Sequence, residues 1–143
     1  MAAASFEYRR GRRELVLLPL DADTDAIEIG DAITDTGTDA GYFQNVDGTG
    51  DTVIGIAAQK VASPSSDGLL SCLVDVSKES VYEVPPDTGS VAITDVMNTC
   101  DVGADGRSVN INASSVDGIE VIGVDTVANT AFVRIAPTYA GVA

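Results

Sequence analysis

The side chains that could do chemistry in this 143-residue chain are carboxylates, two cysteines and a cluster of arginines, because it contains no histidine. Without imidazole the commonest general base and every His-dependent triad are missing. The Asp residues fall in alternations that would suit a hard cation: Asp21, Asp23 and Asp25, and again Asp101 and Asp105 with Gly106. An EF-hand loop starting at Asp21 would need Gly and Glu where Ala26 and Ala32 stand. Asp, Gly and Thr are also what turns require, so these loops read first as solvated turns. Neither a G-x-x-x-x-G-K-[ST] phosphate loop nor a helix-opening G-x-G-x-x-G occurs, so those kinds of nucleotide binding have no support. No Ser or Cys has a recognisable activating partner, and seven aromatic residues give little to line a glycosidase groove. The expectation is a chain without catalytic residues, metal or cofactor.

Cys72 and Cys100 do not form a metal spacing and read as two buried thiols, with a disulfide as the lesser alternative. The arginines are more informative. Arg9, Arg10, Arg12 and Arg13 against Glu7 and Glu14 give residues 1–14 a charge of +2, leaving the other 129 residues at −16 within a net charge of −14. A basic arm therefore precedes an acidic body that repels phosphate backbones, which argues against direct nucleic-acid binding. The arm itself has two readings, a frayed solubilising terminus or a docking element.

These residues must be positioned by a largely aliphatic domain. Hydrophobic residues make up 45% of the chain, aromatics only 5%, and there is no Trp. The length suits one domain with a core of its own. No stretch reaches the roughly 18 apolar residues of a membrane span, and Leu15 to Leu20 is too short for a signal-peptide core. No membrane association is expected, and synthesis in a cytoplasm is.

The β pattern centres on Val53-Ile54-Gly55-Ile56 and Val121-Ile122-Gly123-Val124, two β-branched runs 68 residues apart, each with a Gly that implies a bulge, a bend or a close neighbouring backbone. Further strands are expected at 14–20, 27–34, 42–46, 69–76, 80–84, 108–112 and 130–135. Residues 42–46 and 51–59 read as a hairpin across Asp47-Gly48-Thr49-Gly50, and 69–84 as a second hairpin region ended by Pro85-Pro86. Val91 to Met97 is ambiguous between a strand and one helical turn. Both 27–56 and 91–124 run from an alternating segment through an Asp/Gly loop to a kinked strand, which raises a twofold internal repeat. The fold expected is all-β, a small barrel or sandwich with an extended N-terminal arm. Its organisation would be residues 1–13 as the arm, 14–137 as a single β domain and 138–143 as a C-terminal tail.

The words Ile27, Gly30, Asp31 and Ile33, then Val53 to Ala57, then Phe132-Val133-Arg134-Ile135 resemble the capsid decoration (cement) proteins of tailed bacteriophages over about residues 26 to 136. The longer middle at 63–89 and the Arg-rich N-terminus depart from the plainest members. The resemblance implies a non-enzymatic virion protein that binds the outer face of the mature capsid through the major capsid protein, as a homotrimer, and clamps neighbouring capsomers. The arm residues Phe6, Tyr8, Arg9, Arg10, Arg12 and Arg13 combine aromatic and Arg anchors typical of interface hot spots, and are the expected capsid contacts, ordering on binding. Leu69, Leu70, Leu73 and Val81-Tyr82-Val84 are candidate trimer contacts, with core as the competing reading. The alternatives are another virion β module, such as a head fibre base or tail-tube subunit, and a Ca²⁺-dependent carbohydrate-binding module.

Overall fold

The computed structural model describes residues 4–35, 41–48, 51–113 and 118–136. The tail at 138–143 lies outside the described residues. The chain is all-β, as its alternating patterns imply, and its strands form two antiparallel sheets in a small sandwich. In chain order the strands are β1 (Glu7–Arg10), β2 (Leu15–Pro19), β3 (Ala32–Asp35), β4 (Phe43–Asn45), β5 (Gly55–Ala57), β6 (Ser71–Asp75), β7 (Val81–Val84), β8 (Thr99–Val102), β9 (Val109–Asn110), β10 (Ile119–Asp125) and β11 (Thr130–Ile135). One sheet has the order β2-β6-β5-β3-β4, the other β1-β7-β11-β10-β8-β9.

Leaving β1 aside, the two orders are the same with every strand number raised by five. A second feature matches. Leu20, just past β2, makes a parallel bridge to Phe43 of β4, and Pro86, just past β7, makes a parallel bridge to Val109 of β9. The following amides repeat this: Asp21 N–H donates to the Phe43 carbonyl and Asp87 N–H to the Val109 carbonyl, both at 2.8 Å. Each bridge ties the first strand of a unit back to the strand at the far edge of its own sheet, so each sheet curls. An internal repeat is thus present as topology, but the two Val-Ile-Gly words that suggested it are not equivalent: the ladder registers match Gly55 to Ile119 and Ile56 to Glu120.

The two Gly residues meet different needs. A Cβ on Gly55 would lie 2.5 Å from the Asp75 carbonyl oxygen and 2.6 Å from a Val74 methyl, so this Gly permits close approach of β5 to β6. Gly123 sits where the β10–β11 register shifts, a bulge.

Alternation within β3 and β5 explains how the units join. Ile33 and Ala57 point into a core formed by the first unit alone, with Leu20, Ile27, Cys72 and Val74. Their neighbours Ala32 and Ile56 point the other way, into a larger core with Tyr82, Val102, Ile119, Val121, Val133 and Ile135. The first sheet is therefore covered on both faces at Ala32-Ile33 of β3 and Ile56-Ala57 of β5, which is why both residues of each pair are apolar.

Several expected elements are corrected. The run 27–34 is not one strand: Gly30 turns at φ +95°, and only Ala32–Asp35 is extended. The hairpin of 42–46 with 51–59 does not form, because β3 inserts between β4 and β5 and pairs with both. Residues 69–84 are not a hairpin either, since β6 and β7 belong to different sheets. Val91 to Met97 resolves as a single 3-10 turn, Ile93–Asp95, with Asp95 Oδ2 accepting the Ala92 N–H at 2.7 Å.

Candidate functional site

The arm is extended, but the structure sets no boundary at residue 13. Phe6 is 2% exposed and belongs to the larger core, with its ring edge-on to Tyr82. Its amide donates to the Gly30 carbonyl at 3.2 Å. Glu7–Arg10 then pairs with β7, placing Tyr8 opposite Tyr82 and Glu7 opposite Glu83. This corrects the expectation of a segment that orders only on binding: a buried Phe and a strand ladder already fix it. Sequence reading missed β1 because Glu-Tyr-Arg-Arg carries one apolar side chain and looks like a solvated run.

Beyond β1, Gly11 turns the chain at φ +97°, and a Cβ there would collide with the Glu79 carbonyl. The close approach lets Ser77 Oγ donate to the Arg12 carbonyl at 2.5 Å and sets Ser80 Oγ 3.3 Å from the same oxygen. At the centre stands Asp75, at the end of β6 and 1% exposed. Its Oδ1 accepts the amides of Glu14 (3.0 Å) and Ser77 (3.1 Å), and its Oδ2 accepts the Tyr82 hydroxyl at 2.6 Å. The Arg13 guanidinium lies 3.6 Å from Oδ2 and sits over the Tyr8 ring. One carboxylate therefore joins the first sheet, the second sheet and the arm.

Burial alone would raise the pKa of Asp75. The hydrogen bonds from Ser80, Tyr82 and the two amides outweigh it and hold the carboxyl below its ordinary value. Tyr82 moves strongly upward, first because it is buried and then because its hydroxyl faces that anion.

The six expected contact residues thus divide. Phe6 is core and Tyr8 is a half-packed aromatic on Tyr82. Arg9 is held by Glu83 at 2.8 Å and Glu7 at 2.9 Å, and Glu83, buried at the sheet surface, also accepts the Thr130 hydroxyl at 2.6 Å. The Thr130 bond leads, with Arg9 adding to it, in keeping Glu83 below the usual carboxylate range. Arg13 is committed to Asp75. Arg10 and Arg12 are exposed, and among the described residues no ion pair holds either. Arg12 and Arg13 line an open cleft of about 540 Å³ with Glu14, Val76, Ser77, Lys78 and Glu79. Lys78 is a cation that sequence reading did not associate with the arm; only the Gly11 turn brings the two together.

Beside this cleft, β2 exposes Leu15, Val16 and Leu17. Of the expected trimer contacts, Leu69 is exposed, Leu70 and Leu73 are half-buried, and Val81, Tyr82 and Val84 are core.

The carboxylates of the Asp-rich loops serve their own turns, except that Asp21 Oδ2 is buried without a hydrogen-bond partner among the described residues. Asp21 Oδ1 accepts the Asp23 amide, and Asp105 Oδ1 accepts the Arg107 amide and the Ser108 hydroxyl. Asp31 binds Arg107 at 2.6 Å across the two units. No group of three or more His, Cys, Asp or Glu side chains among the described residues could hold a metal ion. Cys72 is buried, which pushes its thiol up to about 11, far from a reactive thiolate. Compared with protein-family models, curated proteins and solved structures, the chain has no match.

Proposed function

We propose that this chain is a structural virion protein that binds the outer face of a mature tailed-phage capsid and stabilises the contacts between capsomers. One observation carries the reading: on a body of charge −16, Arg10 and Arg12 stand exposed and uncommitted on a segment already fixed by Phe6 and Asp75. Such a surface suits docking more than catalysis. A preordered segment loses little conformational entropy on binding, and Arg is the charged residue most enriched at interface hot spots. The acidic remainder would keep decorated particles apart in solution. The resemblance to decoration proteins supplies the identity of the partner, the major capsid protein, and a trimeric arrangement on the shell.

The test is co-sedimentation with expanded, undecorated capsids of the same phage at low and moderate salt. Saturable binding at a fixed ratio to the major capsid protein is expected. The Arg10→Glu, Arg12→Glu double variant should bind roughly tenfold more weakly or worse while unfolding at the wild-type denaturant midpoint. Absence of binding by the folded wild-type protein would overturn the proposal in favour of a tail or fibre role.

A further inference from the structure

The internal repeat shows what the exposed edge of β2 lacks. Aligning the units on their equivalent bridges, Leu20 to Phe43 and Pro86 to Val109, makes Leu15, Val16 and Leu17 the counterparts of Val81, Tyr82 and Glu83. The strand pairings agree: Leu17 lies opposite Leu73 and Glu83 opposite Phe132, each on the neighbouring strand of its own unit. In the second unit β1 covers this edge, leaving Val81, Tyr82 and Glu83 only 7%, 4% and 8% exposed. In the first unit, among the described residues, no strand takes that place, and Leu15, Val16 and Leu17 are 45%, 39% and 61% exposed. An apolar edge strand of this kind is a template for another strand.

We infer that this edge receives the β2 strand of a second copy of the chain, antiparallel, about a twofold axis at Val16. Backbone geometry selects that register. Val76 N–H donates to the Glu14 carbonyl and Leu20 N–H to the Leu70 carbonyl, so the even-numbered residues of β2 turn their backbone groups toward β6. By the alternation of an antiparallel ladder, Leu15 and Leu17 turn theirs toward the open side. Pro19, next on that side, has no N–H to offer. A twofold axis at Val16 sets Leu15 of each copy opposite Leu17 of the other, so all four open N–H and all four open C=O groups find partners without Pro19. It also pairs apolar side chains across the junction.

Charge favours the same occupant. The chain reads Arg12-Arg13-Glu14 before β2 and Asp21-Ala22-Asp23-Thr24-Asp25 after it, and Asp23 and Asp25 are exposed. Antiparallel pairing brings the cationic end of one copy beside the anionic end of the other at both junctions, which offsets the repulsion between two acidic bodies. This inference needs no capsid, and for the free protein it replaces the trimer that the resemblance implies on the shell with a twofold dimer.

The test is cross-linking of the full chain. Residues 16 of the two copies would form a non-hydrogen-bonded pair with Cα atoms about 4.5 Å apart, within the roughly 4.4–6.8 Å range of a disulfide. Mild oxidation of Val16→Cys should therefore give a covalent dimer of twice 14.7 kDa at least tenfold faster than Leu69→Cys, whose side-chain position is 59% exposed on another segment. Cys72 and Cys100 are buried and do not compete. By light scattering the wild-type mass should rise toward twice 14.7 kDa with concentration, and Leu17→Lys should hold it at 14.7 kDa. Equal cross-linking of the two cysteine variants, a mass of three times 14.7 kDa, or a monomer at all concentrations with no Val16→Cys dimer would each overturn the inference. The last result would assign the edge to a strand of a different protein.

Discussion

Asp75→Ala is the substitution with the largest expected effect per atom removed. The carboxylate takes the Tyr82 hydroxyl at 2.6 Å, the Ser77 amide at 3.1 Å and the Glu14 amide at 3.0 Å. The Tyr82 and Ser77 bonds lie in buried surroundings, where neither water nor another side chain replaces the lost acceptor. At about 1–3 kcal/mol for each orphaned buried donor, the loss is about 2–6 kcal/mol, a large part of the roughly 5–15 kcal/mol of a typical domain. Asp75→Asn keeps an acceptor for the amides and should lose less. Tyr82→Phe removes the donor as well as the bond, so in the Asp75→Ala background it should cost nothing or restore stability. Urea unfolding of the four members of this cycle measures the coupling. The pH dependence has a definite sign. Because the folded state lowers the pKa of Asp75, its contribution is fully present above the unfolded carboxylate value of about 3.9 and is lost as pH falls through the folded value. The gap between wild type and Asp75→Asn should therefore be constant near neutral pH and close in acid. A cost below about 1 kcal/mol for Asp75→Ala, or strict additivity with Tyr82→Phe, would refute the view that this carboxylate clasps the sheets to the arm.

Two further substitutions separate packing roles that look alike in sequence. Phe6→Ala should cost about 3–5 kcal/mol in urea unfolding, because a ring that is 2% exposed leaves a cavity against Tyr82. Deletion of residues 1–13 should destabilise at least as much, in contrast to the removable arm expected from sequence. Gly55→Ala should cost about 1–3 kcal/mol or more, since its Cβ would press on the Asp75 carbonyl. Gly123→Ala, whose nearest neighbours on Phe132 are 3.7 Å away, should shift the urea midpoint far less.

Much of the fold was legible in the residues alone. β-branched runs bounded by Asp, Gly and Pro located β2, β4, β5, β6, β7, β10 and β11 to within a few residues, because burial of alternate side chains leaves a local pattern. That the chain repeats a unit was legible in the two Val-Ile-Gly words, but their equivalence was not: the ladder registers match Gly55 to Ile119 rather than to Gly123. β8 was not, since Thr99-Cys100-Asp101-Val102 alternates weakly although Cys100, Asp101 and Val102 are all buried. Partner choice between strands was not legible either: nothing local to 42–46 says that β3, ten residues earlier, will separate it from β5. The cationic cluster was visible in the sequence, but which of its members are available was not. Arg9 and Arg13 meet Glu83 and Asp75, which stand 74 and 62 positions further along, and only the closing of the two sheets brings those carboxylates to them. Composition and local pattern thus determined an all-β, acidic body with a basic start. Contacts between residues distant in the chain decided that this start is part of the fold, that Arg10 and Arg12 are its exposed charges, and that β2 is the edge left open.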